Sequence, residues 1–346
     1  MGVRVGIGLF TGQVPPSSDR TFAQEYRETI ELVRLAEAVG FDSAWVSEHH
    51  GSSDGYNPSM LLTLAAFAEA TSRVRLGTGL LLTPFHDPLR LAEDAAVLDQ
   101  ISDGRLVLGL GLGWRPEEFR MFKIPFAERK QRTIETIEIL RRAWTGERFS
   151  FDGEIFRYDR VKVTPPAVQD GGPPILLGGH AEPAIRRAGE LGDGHVSNAW
   201  SLDPVRNAVT LMEDAARSAG RDPAALELVL MQNAFVTDAG TDAWEVVRDG
   251  VMYQWGTYDA WDEGHDTPEH DALRPADVDE DGAKRSTPVG TPADVARALR
   301  PAVDAFGGRR AFELLVRLHY PGMGFDHAAR AIELFGEQVI PALKGS

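Results

Sequence analysis

"RLGTGLLLTPFHDPLRLAEDAAVLDQISDGRLVLGL", residues 75–110, contains one complete structural unit. Arg75–Leu82 is a short apolar run of strand length. Asp87-Pro88 then supplies a helix N-cap followed by proline at the first helical position. A helix over 88–101 leads to a second apolar run at Leu106–Leu110. Two buried strands joined by a crossover helix require a parallel pair.

The same unit extends in both directions. Further strands are expected at Val3–Phe10, Ser43–Ser47, Ile175–Leu177, Gly194–Asn198, Glu227–Val236 and Glu313–Leu318. Residues 24–39 place Ile30, Val33, Ala36 and Val39 at helical spacing, with Gly40 as the stop. The cap-then-proline opening recurs at Asn57-Pro58, Asp203-Pro204 and Thr291-Pro292. Other helices are expected at 129–145, 181–190, 241–255 and 327–343. Eight strands alternating with eight helices close into a (β/α)8 TIM barrel, an α/β fold expected to occupy residues 1–346 as one domain. A doubly wound open sheet is the rival. Two stretches depart from the alternation. Residues 147–163 read as a small β-hairpin around Asp152-Gly153, inserted before strand 5. Residues 257–287, with ten acidic side chains, read as an acidic loop after strand 7, either a lid or a solvated loop.

Composition narrows the function. The 346 residues are 43% hydrophobic and 25% charged, with a net charge of −16 that repels nucleic acid and anionic lipid. With no cysteine, thiolate metal sites, disulfides and cysteine nucleophiles are excluded. The opening "MGVRVGIGLF" is too short an apolar run for a signal peptide, so a soluble cytoplasmic protein is expected. No nucleic acid or membrane partner is expected.

In a barrel of this kind catalytic groups sit at the C-terminal strand ends. Those ends collect Glu48, His49 and His50 after strand 2, and Thr83 with His86 after strand 3. Strand 4 contributes Gly109–Trp114, strand 5 Gly178, Gly179 and His180, and strand 6 Asn198 with Trp200. Glycines in "LGLGLGW" and "LLGGHAEP" let backbone N–H groups approach an anion, or alternatively allow tight strand-to-helix packing. The second turn runs into a helix N-terminus, which favours phosphate. Adjacent histidines point to opposite faces of a strand, so His49 and His50 do not share one metal, and none is expected.

"GFDSAWVSEHH", the block from "LGTGLLLTPFHDP" to "LGLGLGWRPEEF", and "PVGTPADV" resemble the bacterial luciferase-like flavin-dependent oxidoreductases. The resemblance runs from residue 1 to about 340 and implies FMN, or the deazaflavin F420, at the strand C-termini. It assigns His49 as the active-site histidine, with Glu48 and His50 flanking it. Gly79 and Leu80 match a strand-3 bulge, often with a non-prolyl cis peptide, and Gly111 lies in the strand-4 cofactor turn. Arg129 matches a phosphate-binding arginine, and Gly178, Gly179, His180 and Ala181 the phosphate turn of strand 5. Trp114, Asn198 and Trp200 are the expected substrate-pocket residues. Luciferases proper carry an arginine and a cysteine where this chain has Leu112 and Gly111, which argues against light emission.

The resulting expectation is a two-component monooxygenase, using reduced FMN from a separate flavin reductase and O2 to oxidise a small organic substrate. Alternatives are an F420-dependent hydride-transferring oxidoreductase of the same fold, and a non-catalytic flavin-binding or pairing subunit. A homodimer is expected.

Overall fold

The computed structural model describes residues 2–262 and 279–345. Its core is eight parallel strands: β1 Arg4–Phe10, β2 Ser43–Val46, β3 Arg75–Thr78, β4 Leu106–Gly111, β5 Ile175–Gly178, β6 Gly194–Ser197, β7 Glu227–Asn233 and β8 Phe312–Arg317. Neighbours run β3-β2-β1-β8-β7-β6-β5-β4, and Leu76 pairs with Leu106 to join β3 to β4. That last pairing closes the barrel and excludes the open sheet. Strand β3 is interrupted after Thr78 and resumes at Leu81–Leu82; Gly79-Leu80, between them, is a cis peptide, as is Gly8-Leu9.

The outer ring is α1 Phe22–Ala38, α2 Met60–Ala70, α3 Pro88–Ser102, α4 Arg129–Ala143, α5 Glu182–Leu191, α6 Leu202–Ser218, α7 Ala243–Asp262, α8 Pro292–Phe306 and α9 Phe325–Leu334. Two of the four expected cap-then-proline openings hold. The Asp87 carboxylate accepts from the N–H groups of Leu89 and Arg90, and Thr291 forms a capping box with Asp294. At Asn57-Pro58 the helix instead starts at Met60 after Ser59, because the Asn57 side chain closes a local turn onto the Ser59 N–H. Asp203-Pro204 lies inside the first turn of α6, with Ser201 as N-cap.

Strict alternation also fails between β7 and β8. That connection contains α7, a short helix at Glu280–Arg285 and α8. The expected loop over 257–287 is therefore helical at both ends, and its central residues 263–278 lie outside those described. The hairpin before β5 is present, pairing Phe149–Asp152 with Arg157–Val161. Its turn is longer than a two-residue Asp152-Gly153 turn, since Asp152 pairs with Arg157. The Glu135 carboxylate on α4 holds that turn by accepting from the N–H groups of Glu154, Ile155 and Phe156.

Strand alternation sorts the core into two compartments. Outward residues such as Val5, Ile7, Ala44, Leu76, Leu108, Leu230, Leu314 and Val316 pack against the helices. Inward residues fill the barrel in layers. The floor is ionic: Arg4 and Arg75 bind Glu227 and Glu313. Above it lies an apolar layer of Leu9, Trp45, Val107, Leu176, Val229 and Leu315. The Trp45 indole N–H donates to Glu313 Oε1 at 2.8 Å and to Ser43 Oγ at 2.9 Å, tying the two layers together. Gly77 makes room for it, because a Cβ there would sit 2.1 Å from the indole ring. The third layer, at the C-terminal mouth, is polar.

One outward residue gives a pH-dependent stability. His195 on β6 is 2% exposed, and its Nδ1 hydrogen-bonds the Leu177 carbonyl at 2.9 Å. Burial is the main cause that lowers its pKa from 6.5 to about 4, so the folded protein holds it neutral. The unfolded chain takes up a proton first as the pH falls, so stability is lost between about 6.5 and about 4. The loss from this residue should approach about 3 kcal/mol. Urea midpoints at pH 7 and pH 4.5 should fall less for His195→Asn than for the parent; parallel falls would remove His195 from the account.

Candidate active site

The chain leaves β2 at Val46 and runs across the mouth. Continued alternation puts Ser47 and His49 on the inside and Glu48 between β2 and the end of β3. Glu48 is 3% exposed; one oxygen accepts the Leu82 N–H at 2.6 Å. The other is 2.9 Å from His50 Nε2 and 3.4 Å from His86 Nε2. Burial raises the Glu48 pKa, but hydrogen bonds and charge from His50 and His86 outweigh it and hold the carboxyl at about 2. Glu48 is thus a permanent anion that fixes the β2 turn to β3 and orients two imidazoles. His50 points away from His49 and packs among Phe85 and Phe122.

His49 is 6% exposed, and its Nδ1 lies 2.9 Å from Glu118 Oε1. Glu118 comes from a short helix after β4, Pro116–Met121, which the strand reading did not anticipate. The same carboxylate oxygen accepts the His50 backbone N–H at 2.9 Å and lies 3.4 Å from Arg115 Nη1. An oxygen already accepting from these donors places a proton on His49 Nδ1, so in the neutral imidazole it is Nε2 that carries the lone pair. Aromatic rings surround the imidazole: Trp261 at 4.6 Å, Tyr56 at 4.8 Å, Tyr258 at 5.7 Å and Trp114 at 6.1 Å between centroids. The Arg115 guanidinium lies 3.9 Å above the Trp261 ring. Trp261 stands on the last turn of α7, at the start of the acidic stretch, so this part of the stretch does seat on the mouth. Burial raises the pKa of both Tyr56 and Tyr258, whose hydroxyls hydrogen-bond each other at 3.0 Å. The arrangement is a water-poor compartment holding one oriented imidazole base.

The glycine-rich turns divide between the two readings given to them. Gly111 and Gly178 face Leu80: a Cβ on Gly178 would lie 2.0 Å from the Leu80 side chain and one on Gly111 3.2 Å from it, whereas one on Gly109 would first meet the Thr78 carbonyl oxygen, at 2.1 Å. Gly111 and Gly178 make room for a side chain, and Gly109 for the backbone of the neighbouring strand. At Gly179, φ is +130°, outside the range of ordinary L side chains, and the chain turns there into α5. Ala181 is the N-cap and supplies no side-chain cap, so the helix N-terminus keeps donors for an anion. His180 is exposed beside it. Arg129, at the first turn of α4, lies 3.7 Å over the Phe126 ring and donates to the Phe126 carbonyl.

The expected pocket residues are dispersed. Trp114 joins the His49 cage, whereas Asn198 is exposed and Trp200 is 67% exposed on the rim. Arg115, Glu118, Tyr56, Tyr258 and Arg317 were missed as site residues. Two of them sit inside the quoted "GWRPEEF". Arg317 was visible as the single arginine in the apolar run of strand 8. Among the described residues no group of three or more His, Asp or Glu side chains is placed to hold a metal ion, and no helix is long and apolar enough to cross a membrane.

A family model described as luciferase-like monooxygenase matches residues 3–309. The chain belongs to this family. It is an enzyme, an oxidoreductase of the luciferase-like fold that depends on a flavin or a deazaflavin. It is 26% identical, over 98% of its length and 95% of the relative's, to the oxygenase component of a flavin-dependent trigonelline monooxygenase from Acinetobacter baylyi. It is 29% identical to an F420-dependent glucose-6-phosphate dehydrogenase from Intrasporangium calvum, over 92% of this chain and 95% of that one. The crystal structure of a monooxygenase from Streptomyces bottropensis superposes with a TM-score of 0.81 at 29% identity, covering 99% of both chains.

Proposed function

We propose that this luciferase-like protein is the oxygenase component of a two-component monooxygenase, taking reduced FMN from a separate reductase and oxidising a small organic substrate. The observation that carries the reading is the His49–Glu118 pair, an imidazole base fixed inside an aromatic cage. The mouth also suits the cofactor: the uncapped N-terminus of α5 with Gly178, Gly179, His180 and Ala181 would hold the phosphate, assisted by Arg129. Gly79 and Leu80 with Gly111 would form the bed for the ring system. FMN supplies the electrons and the means of activating O2. The chain's own work is to bind and orient, to keep water out with Trp114, Tyr258 and Trp261, and to move a proton at His49 Nε2. Homodimerisation and a cytoplasmic location complete the proposal.

The second reading, hydride transfer with F420, is favoured by the F420-dependent relative of nearly full coverage and similar identity. Titrating the protein with reduced FMN and reduced F420, followed by oxygen-electrode measurements, separates the two. FMN should bind at least about 10-fold more tightly, a difference of about 1.4 kcal/mol, and its complex should consume O2. Tighter F420 binding without O2 uptake would replace the proposal by the second reading. Arg129→Ala should weaken FMN far more than riboflavin, which lacks the phosphate; equal losses would make Arg129 a packing residue.

A further inference from the structure

Strand β8 alternates cleanly. Phe312, Leu314 and Val316 pack outward among the helices, so Glu313, Leu315 and Arg317 point into the barrel. Glu313 belongs to the ionic floor and Leu315 to the apolar layer. Arg317 therefore belongs to the third layer, at the mouth, opposite Asn233 of β7 in register. It is 2% exposed, yet its Nε and Nη1 have no hydrogen-bond partner among the described residues. Among the described residues no carboxylate pairs with it either. The floor sets the contrast: Arg4 and Arg75, also inward, are each matched by Glu227 and Glu313. A buried guanidinium without a counter-charge is costly, and such a charge is retained where a ligand completes it.

Its neighbours locate it relative to the chemistry. The hydroxyls of Tyr56 and Tyr258 lie within electrostatic reach of Arg317, and the rings of both pack on His49. Strand β8 is separated from β2, the strand of His49, by β1 alone. Arg317 and His49 thus share one compartment, with the paired tyrosine hydroxyls between them.

We propose that Arg317 is the recognition group for an anionic oxygen group, a carboxylate or sulfonate, on the substrate. A planar guanidinium presents two parallel donors to such a group, along its Nε–Nη2 or its Nη1–Nη2 edge, and each edge of Arg317 carries one of the unpartnered nitrogens. The substrate is then anchored by its charged end at β8, which leaves its remaining part toward His49. This rests on reading the mouth as the place of reaction. The same anion chemistry has one other source, the charge of the cofactor itself, and the experiment keeps the two apart.

Benzoate and its neutral isostere benzamide are titrated calorimetrically into the parent, Arg317→Met and Arg317→Lys, and FMN into the same three proteins. Benzoate should bind the parent, lose about 10-fold or more in Arg317→Met and recover in part in Arg317→Lys. Benzamide and FMN affinities should change by less than about twofold. Ligand-free Arg317→Met should unfold at the same urea concentration as the parent or a higher one, since an unmatched buried charge has been removed. The proposal is overturned if benzoate fails to bind the parent, or binds parent and Arg317→Met alike. It is also overturned if FMN rather than benzoate loses affinity, or if Arg317→Met is clearly less stable, which would make the arginine structural. Benzoate binding that depends on Arg317 in a protein that takes neither FMN nor F420 would sink the functional reading and leave this one standing.

Discussion

His49→Ala lowers the rate of O2 uptake with reduced FMN by about 10²-fold or more, the usual cost of losing a positioned proton-transfer group. FMN affinity changes little, because His49 holds none of the proposed phosphate contacts. The imidazole is specified on every side: Glu118 Oε1 fixes Nδ1 at 2.9 Å, and four aromatic rings set its plane. Glu118→Gln keeps an oxygen for the Nδ1 hydrogen but removes the carboxylate charge, so it should lower the rate by less than His49→Ala does. Stopped-flow or oxygen-electrode rates on flavin-loaded protein decide the matter. A His49→Ala rate within about twofold of the parent would end the assignment of a proton-transfer role.

The largest stability effect is expected at the opposite end of the barrel. Glu313 is fully buried, and it receives hydrogen bonds from Ser43, the Trp45 indole, Arg4 and Arg75. Glu313→Ala leaves the Arg75 guanidinium short of a counter-charge and the indole N–H short of an acceptor. Removing one partner of a buried ion pair typically costs about 3–5 kcal/mol. Glu313→Gln keeps the shape and some of the acceptors, so it should fall between the two. Guanidinium or urea midpoints measure it. A loss below about 1 kcal/mol, the range of exposed ion pairs, would mean that the floor is solvated in solution.

The barrel could be read from the chain because each βαβ unit carries its own local signals. Asp87-Pro88 and Thr291-Pro292 cap helices as expected, and the apolar runs correspond to β1–β8 within a few residues. Asn57-Pro58 misled because asparagine can close its own turn as readily as cap a helix. The site was only half legible. Glu48, His49 and His50 follow from a strand end, since a strand fixes where its last residues point. Glu118 does not, because its distance from His49 depends on how a six-residue helix lies after β4. Tyr258 and Trp261 come from the extension of α7 into a stretch whose acidity reads as loop. The glycines of "LGLGLGW" were ambiguous for a related reason: what a missing Cβ admits depends on Thr78 and Leu80, more than twenty residues earlier in the chain.

The ionic floor and the Trp45 layer above it also govern traffic. Trp45 is fully buried with its ring pressed into the space left by Gly77, and the arginine–glutamate lattice closes the strand ends beneath it. Among the described residues the barrel is therefore a well closed at its floor and open toward the C-terminal mouth. Whatever reaches His49 enters and leaves on the side where Trp114, Tyr258 and Trp261 stand. On the proposed function, cofactor, substrate and product share that threshold, so the order in which they come and go becomes part of how the enzyme works.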